Sequence, residues 1–585
     1  MLGTEDPQRG MFEAASQLDD DEIEEMGLYG QMARYGSELF EDEDFAHMYD
    51  TENGRPSTPP SLLARARLLQ HYEDISEREV IRRCKYDLRW KVALGLDLQT
   101  TEKPFARTTF QAFRYRLTLH DEDGMVFEKS IERAREVDLL DEELEVALDS
   151  SPVRGQGAVE DTYQEISSQI GSVLRAVADS EGCDVEALAE DHGVARHIKE
   201  DSIKGSELVD WSDDEDVDRF LAGLLEDTCR VVKLARRKEA GQSEVALLER
   251  IIDEDVDLDP DDGDGPTIAQ GTARERIVST SDPEMRHGRK SSTGTYDGHK
   301  AHIGVDVGSD IIVDVEVTAP SEAEGEHIED SVERIEARTA CEVGVALGDS
   351  AYGTREGRRQ ADKADIELRT KMPSPNASWQ LGADDFEVSD DGREVTCPEG
   401  HTSTRSHKKG DGIQHYFAES DCADCPLKDK CTNADRRTFF VAGDFHEKKR
   451  RRQWAKTPEG RCTLRRRVGV EHAIGRLKQW GAGQARYAGR AKTKGQWAWT
   501  AAIANLSIIW DHRDATDDGP TPALFAEMPR QNRGSAAAAP LWADGDLQSS
   551  FGAQATNIYS PQPRSVSPAT NTATAVMTPG LRPAL

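Results

Sequence analysis

The chain has 585 residues, with 111 Asp and Glu against 73 Lys and Arg and a formal net charge of −38. That length accommodates two to four domains. No run approaches the ~20 apolar residues of a membrane span, the start MLGTEDPQRG has neither the basic nor the apolar region of a secretory signal, and nine cysteines are sparse for a disulfide scaffold. A membrane protein and a secreted, cystine-stapled protein are therefore not expected, and a soluble cytoplasmic protein is.

In chain order, residues 1–57 read as an acidic, Gly-punctuated segment with a mobile start. Residues 58–140 read as a helical domain. SLLARARLLQHYEDISEREVIRRCKYDLRWKVALGL spaces its apolar residues by three and four, Ser76 and Glu79 form a candidate capping box, and FARTTFQAFRYRLTLH supplies a further helix. The apolar run Leu144 to Leu148 predicts a first core strand, opening a catalytic domain over 141–511. Residues 155–273 interrupt it with amphipathic acidic helices, among them TYQEISSQIGSVLRAVADSEG and VDRFLAGLLEDTCRVVKLARRKEAG. The closing loop DEDVDLDPDDGDGP fails as a calcium loop from Asp257, because position six is Asp262 rather than Gly and position twelve is Ile268 rather than Glu.

The sheet is expected to resume at Ile277, with KAHIGVDVGSDIIVDVEVTAP alternating as a hairpin about Gly308 and Ser309. A helix in SEAEGEHIEDSVERIEARTA leads to a second strand ending at Asp349, and IELRTK is the last core strand. Strands alternating with helices predict an α/β fold with a mixed sheet. A cysteine-bearing insertion over 390–436, the strand TFFVAG and the apolar helix GQWAWTAAIANLSIIW follow, and residues 512–585 read as a disordered tail.

Three carboxylates stand out. Asp149 and Asp349 each end an apolar strand run, and Glu471 lies in a helical stretch rich in Arg and Lys. Offsets of four and seven residues place Arg467, Glu471 and Lys478 near one helix face. Hard oxygen ligands of this kind suit Mg²⁺, and two such ions would support in-line cleavage of a phosphodiester and strand transfer. An isolated Asp at a strand end is ordinarily a turn residue; it is the three acids in one basic context that shift the balance toward a site. Asp297 and Asp306 are rival acids, read as supporting or structural because one precedes Gly in a turn and the other alternates within the hairpin.

Around these acids the chain resembles the DDE transposases of prokaryotic insertion sequences. The resemblance is carried by LEVALDSSPVRGQGAVEDTY, STSDPEMRHGRKSSTGTYDGHKAHIGVD, GVALGDSAYGT and RRRVGVEHAIGRLKQWGAGQARYAGRAKTK, in the family's order, with the helical stretch from Pro59 to Phe127 before them. It implies a ribonuclease H-like catalytic domain in which Asp149, Asp349 and Glu471 hold two Mg²⁺ or Mn²⁺ ions. It also implies that Arg467 and Lys478 contact DNA, and that the N-terminal helices bind terminal DNA or dimerise. Partners would be insertion-sequence ends and target DNA, with a homodimer or larger assembly joining two ends. The family's Tyr-x2-Arg-x3-Glu-x6-Lys pattern has Leu464 at the Tyr position. A metal-dependent nuclease of the same fold, and a non-catalytic DNA-binding descendant of a transposase, stand as alternatives.

A net charge of −38 argues against a nucleic-acid partner until its distribution is considered. Residues 448–494 hold sixteen Lys or Arg and only two acids, Glu459 and Glu471. An acidic surface with one basic stretch resembles the proteins of salt-accumulating halophilic archaea, in which molar salt shortens the Debye length to about 3 Å and screens self-repulsion. Cys397, Cys422, Cys425 and Cys431 fit a structural tetrahedral Zn²⁺ set in an insertion too small for its own core, with His401, His407 and His415 as substitutes; reduced thiols without metal are the competing reading.

Overall fold

The computed structural model describes residues 1–5, 13–50, 55–99, 101–199, 202–205, 209–258, 265–269, 275–290, 294–372 and 381–517. At its centre is a six-stranded mixed sheet formed by β1 (Glu143–Arg154), β2 (Arg286–Arg289), β3 (Thr295–Asp306), β4 (Ile312–Thr318), β5 (Glu342–Gly348) and β6 (Glu367–Thr370). β3 runs antiparallel to β1, to β4 and, through its first residues, to β2, whereas β1, β5 and β6 are parallel. The order β4-β3-β1-β5-β6 follows from the connections. The turn after Asp306 is tight enough for antiparallel neighbours, and the parallel strands are joined through helices. β3 and β4 are buried along most of their length and β1 along half of its own, as expected of strands covered on both faces.

The N-terminal helices are α1 (Leu28–Leu39), α2 (Pro60–Tyr72), α3 (Glu77–Tyr86), α4 (Arg107–Leu119) and α5 (Met125–Glu136). Ser76 caps α3 by accepting from the Glu79 backbone N–H at 3.3 Å. This N-terminal region shares one apolar core with the sheet: Met32, Phe45, Leu63, Trp90, Phe113 and Phe127 belong to the same buried cluster as Val146, Ile303 and Leu347. The acidic segment before residue 57 is thus drawn into that core through Leu28, Tyr29, Phe40 and Phe45.

The interruption after β1 forms α6 (Thr162–Glu181), α7 (Asp214–Lys238) and α8 (Gln242–Asp255), with a separate core of Ile170, Leu174, Leu224, Val231, Leu248 and others. Ile277 belongs to that core and is not in a strand, so the sheet resumes at Arg286, nine residues later than expected. Residues 259–264 of the rejected calcium loop lie outside the described residues. α9 (Ile328–Thr339) and α10 (Arg355–Lys363) make the crossovers from β4 to β5 and from β5 to β6.

The cysteine-bearing insertion contains a three-stranded antiparallel sheet of β7 (Arg405–Lys409), β8 (Gly412–Tyr416) and β9 (Thr438–Val441). Contrary to expectation it has an apolar core of its own, formed by Phe386, Val395, Phe417, Phe439, Val441 and Phe445. After it come α11 (Val468–Gln479) and α12 (Arg490–Asp517). α12 buries Trp497, Trp499, Ile503, Leu506 and Trp510, and it continues through residue 512, where a tail had been expected. The remainder of that tail, 518–585, lies outside the described residues. No helix among the described residues is long and apolar enough to cross a membrane.

Candidate active site

β1 and β5 are parallel neighbours whose last paired residues are Ala147 and Leu347. Asp149 and Asp349 each lie two residues beyond that pair. Because side chains alternate with a period of two, the register brings both carboxylates to the same level at the same end of the parallel pair. Asp149 is not at a strand end. β1 continues to Arg154, paired with β3, and only its pairing with β5 stops. Asp349 does follow the end of its strand, and its Oδ1 accepts from the Ala351 N–H at 2.8 Å, closing the turn.

Arg467 joins the third acid to this pair. It occupies the N-cap of α11 rather than its interior, and its guanidinium donates to Asp149 Oδ2 at 2.9 Å and to a Glu471 carboxylate oxygen one turn on. Burial pushes the Asp149 carboxyl up, and the nearby Asp349 charge adds to this, while the Ser150 N–H and Arg467 oppose it. In the last turn of α11, burial lowers the Lys478 ammonium, aided by Lys290 and opposed by Asp149. All five residues singled out from sequence therefore gather around Asp149, where the pairing of β1 with β5 stops: Asp149, Asp349, Glu471, Arg467 and Lys478.

Three neighbours had no sequence signal. Glu324 accepts from Ser150 Oγ at 3.1 Å and pairs with Lys300 at 3.1 Å. Burial raises its carboxyl, but Lys300 and these hydrogen bonds outweigh burial and hold it below the ordinary Glu range. Tyr352 is buried, and its hydroxyl is raised first by that burial and then by the charges of Asp149, Glu324 and Asp349. Lys300 lies on β3 opposite Pro152 of β1 and Glu324 comes from the turn after β4, so only long-range packing brings them beside Asp149. Of the rival acids, Asp306 accepts from Ser309 N and Oγ at 2.7 Å and closes the β3–β4 turn, and Asp297 pairs with His287 across β2 and β3.

The donor chemistry of Asp149, Asp349 and Glu471 fits a hard divalent cation, and Arg467 provides the positive charge that those acids require. Among the described residues, no three His, Cys, Asp or Glu side chains stand in a ligating arrangement.

In the cysteine-bearing insertion, burial raises the Cys431 thiol, and Cys422, Cys425 and Cys397 are close enough to raise it further. Cys397 starts a tight turn in which its carbonyl accepts from Gly400 N at 2.9 Å. Of the substitute ligands, His415 has both ring nitrogens engaged, by Ser403 and the Gly392 carbonyl, and His407 stacks on Tyr416. Every cysteine is a free thiol.

An α/β chain that gathers acids and basic residues at one sheet end has the layout of an enzyme acting on phosphate esters. Two stretches match known protein families: residues 396–510 match the transposase DDE domain, and residues 24–116 match the transposase domain DUF772. The first match contains Glu471, Arg467, Lys478 and the four clustered cysteines; Asp149 and Asp349 lie outside both. Neither a curated protein nor a solved structure matches the chain. These family matches support a DDE transposase, a DNA-cutting class of enzyme.

Proposed function

We propose that this protein is a DNA transposase that cleaves phosphodiesters at the ends of an insertion sequence and joins the freed ends to target DNA. The observation that carries this reading is the register of β1 against β5, which sets Asp149 beside Asp349, together with Arg467, which links Asp149 to Glu471. The strand order β4-β3-β1-β5-β6, with two antiparallel and two parallel neighbouring pairs, supports a ribonuclease H-like catalytic domain over 141–511, with insertions at 155–273 and 390–436.

Asp149, Asp349 and Glu471 would hold two Mg²⁺ or Mn²⁺ ions, which when bound activate the attacking oxygen and stabilise the leaving one. The protein's part is otherwise positional. Lys478 and Arg467 neutralise the backbone beside the carboxylates, Lys300 keeps Glu324 ionised, and the buried Tyr352 closes the floor beneath Asp149 and Asp349. Cys397, Cys422, Cys425 and Cys431 would bind one structural Zn²⁺, and joining two ends would require at least a dimer.

The test is incubation of the protein with labelled terminal DNA and a plasmid in Mg²⁺ and high KCl. Cleaved ends joined to plasmid are expected, and Asp149→Asn, Asp349→Asn and Glu471→Gln should each abolish both steps while leaving DNA binding in place. Cleavage without joining would favour a nuclease of the same fold, and DNA binding without either step would leave a non-catalytic DNA-binding protein. Undiminished cutting by any one variant would remove that carboxylate from the site.

A further inference from the structure

A cleft of about 830 Å³ opens between the N-terminal helices and the segment that follows α11. Gln70, Asp74, Ser76, Glu77, Arg78, Arg107 and Arg114 line one side, and Gln156, Gly481 and residues 484–487 line the other. Its volume is that of a ligand pocket, but such pockets are mainly apolar, and this one carries four arginines against two carboxylates.

Those charges divide into two pairs with different work. Arg486 is committed to architecture: it donates to Asp74 Oδ1 at 2.6 Å and to the Ile75 carbonyl at 2.9 Å, tying the two walls together. Arg114 lies 3.3 Å from Glu77 and 4.3 Å from the Tyr487 ring centre, again bridging the walls. Both carboxylates are used by these contacts. Arg78 and Arg107 remain: both are exposed, and neither has an ion-pair or hydrogen-bond partner among the described residues. In a chain with a net charge of −38, two arginines left without a carboxylate in one cleft call for an anionic ligand.

The cleft is also joined covalently and by hydrogen bonds to the carboxylate site. β1 carries Asp149 and ends at Arg154, whose N–H donates to the Gly483 carbonyl at 3.0 Å and whose carbonyl accepts from Ala485 N at 2.8 Å. Gln484 Nε2 donates to the Gly155 carbonyl at 2.8 Å. From Asp149 to Gln156 is seven residues of largely extended chain, roughly 23 Å at about 3.3 Å per residue. At about 3.4 Å per base pair, that spans roughly seven base pairs of duplex.

We propose that this cleft is a second DNA-binding site, in which Arg78 and Arg107 hold the phosphodiester backbone of a duplex several base pairs from the phosphate being cut. The site rests on the transposase reading and adds to it a sequence-independent grip shared between the N-terminal helices and the end of β1. Arginine suits the task because its planar fork donates two parallel hydrogen bonds to a phosphate.

The probe is a fluorescent random-sequence duplex, bound in the Asp149→Ala background so that no cutting intervenes. Anisotropy is read over a range of KCl in which thermal unfolding shows each protein folded. Because neither arginine has a partner among the described residues to lose, Arg78→Gln/Arg107→Gln should unfold at the same temperature as its parent. It should bind more weakly, and its plot of log affinity against log KCl should be flatter by about 1.8, two contacts at about 0.9 each. An unchanged affinity and slope would overturn the cleft site while leaving the transposase reading intact. A weakened, flattened response together with a wild-type protein, Asp149 intact, that never cuts terminal DNA in Mg²⁺ would support the cleft and remove the catalytic reading.

Discussion

Asn505 should be among the most costly polar residues to replace in the catalytic core. It lies on α12 and is fully buried, and its amide behaves as a substitute strand for β4. Its Oδ1 accepts from Ile312 N at 2.8 Å, and its Nδ2 donates to the Ile312 carbonyl at 2.9 Å and to Ser130 Oγ on α5 at 3.1 Å. One side chain therefore satisfies both backbone groups of a residue in β4 and ties helix to helix. Asn505→Ala leaves the Ile312 N–H and carbonyl unpaired in the interior, while Ser130 still donates to the Phe127 carbonyl at 2.7 Å. At about 1–3 kcal/mol for each of the two orphaned buried groups, the loss should be about 2–6 kcal/mol. Asn505→Leu, which keeps the volume but not the amide, should lose at least as much, separating hydrogen bonding from packing. The measurement is urea unfolding in molar KCl, followed by tryptophan fluorescence, since Trp497, Trp499 and Trp510 report on the same helix. Losses below about 1 kcal/mol for both variants would refute the claim that Asn505 completes the edge of β4.

The insertion carries a pH response of known sign. Burial, reinforced by Asp255, raises the Glu165 carboxyl to about 8. The folded state then holds a proton that the unfolded chain gives up near 4.5, so the stability from this group is complete below 4.5 and is lost as pH rises through about 8. Glu165→Gln should flatten that loss and raise the unfolding temperature at pH 8 to 9; an unaltered pH profile would contradict it. Elemental analysis should find about one Zn²⁺ per chain, lost in Cys422→Ser or Cys425→Ser, and a metal-free protein with full activity would reduce the four thiols to ordinary side chains. Unfolding temperature should climb from dilute buffer to molar KCl, as screening at a Debye length of about 3 Å relieves the repulsion of 111 acids, and equal stability in both would dismiss the salt-adapted reading.

Local pattern was sufficient for the elements themselves. Apolar alternation located β3 and β4, three- and four-residue spacing located α2, α6 and α7, and the basic stretch around Glu471 marked α11, because backbone periodicity and side-chain chemistry are properties of neighbouring residues. The three acids were singled out for the same reason. What only the tertiary structure decided was which residues meet. Asp149 faces Asp349 through a strand register set nearly two hundred residues apart, Arg467 turns toward both Asp149 and Glu471 because α11 begins beside β1, and Glu324 arrives from the loop after β4. The merging of the acidic N-terminal segment into the main core, the separate cores of both insertions and the cleft holding Arg78 and Arg107 likewise depend on long-range packing, which no local periodicity encodes.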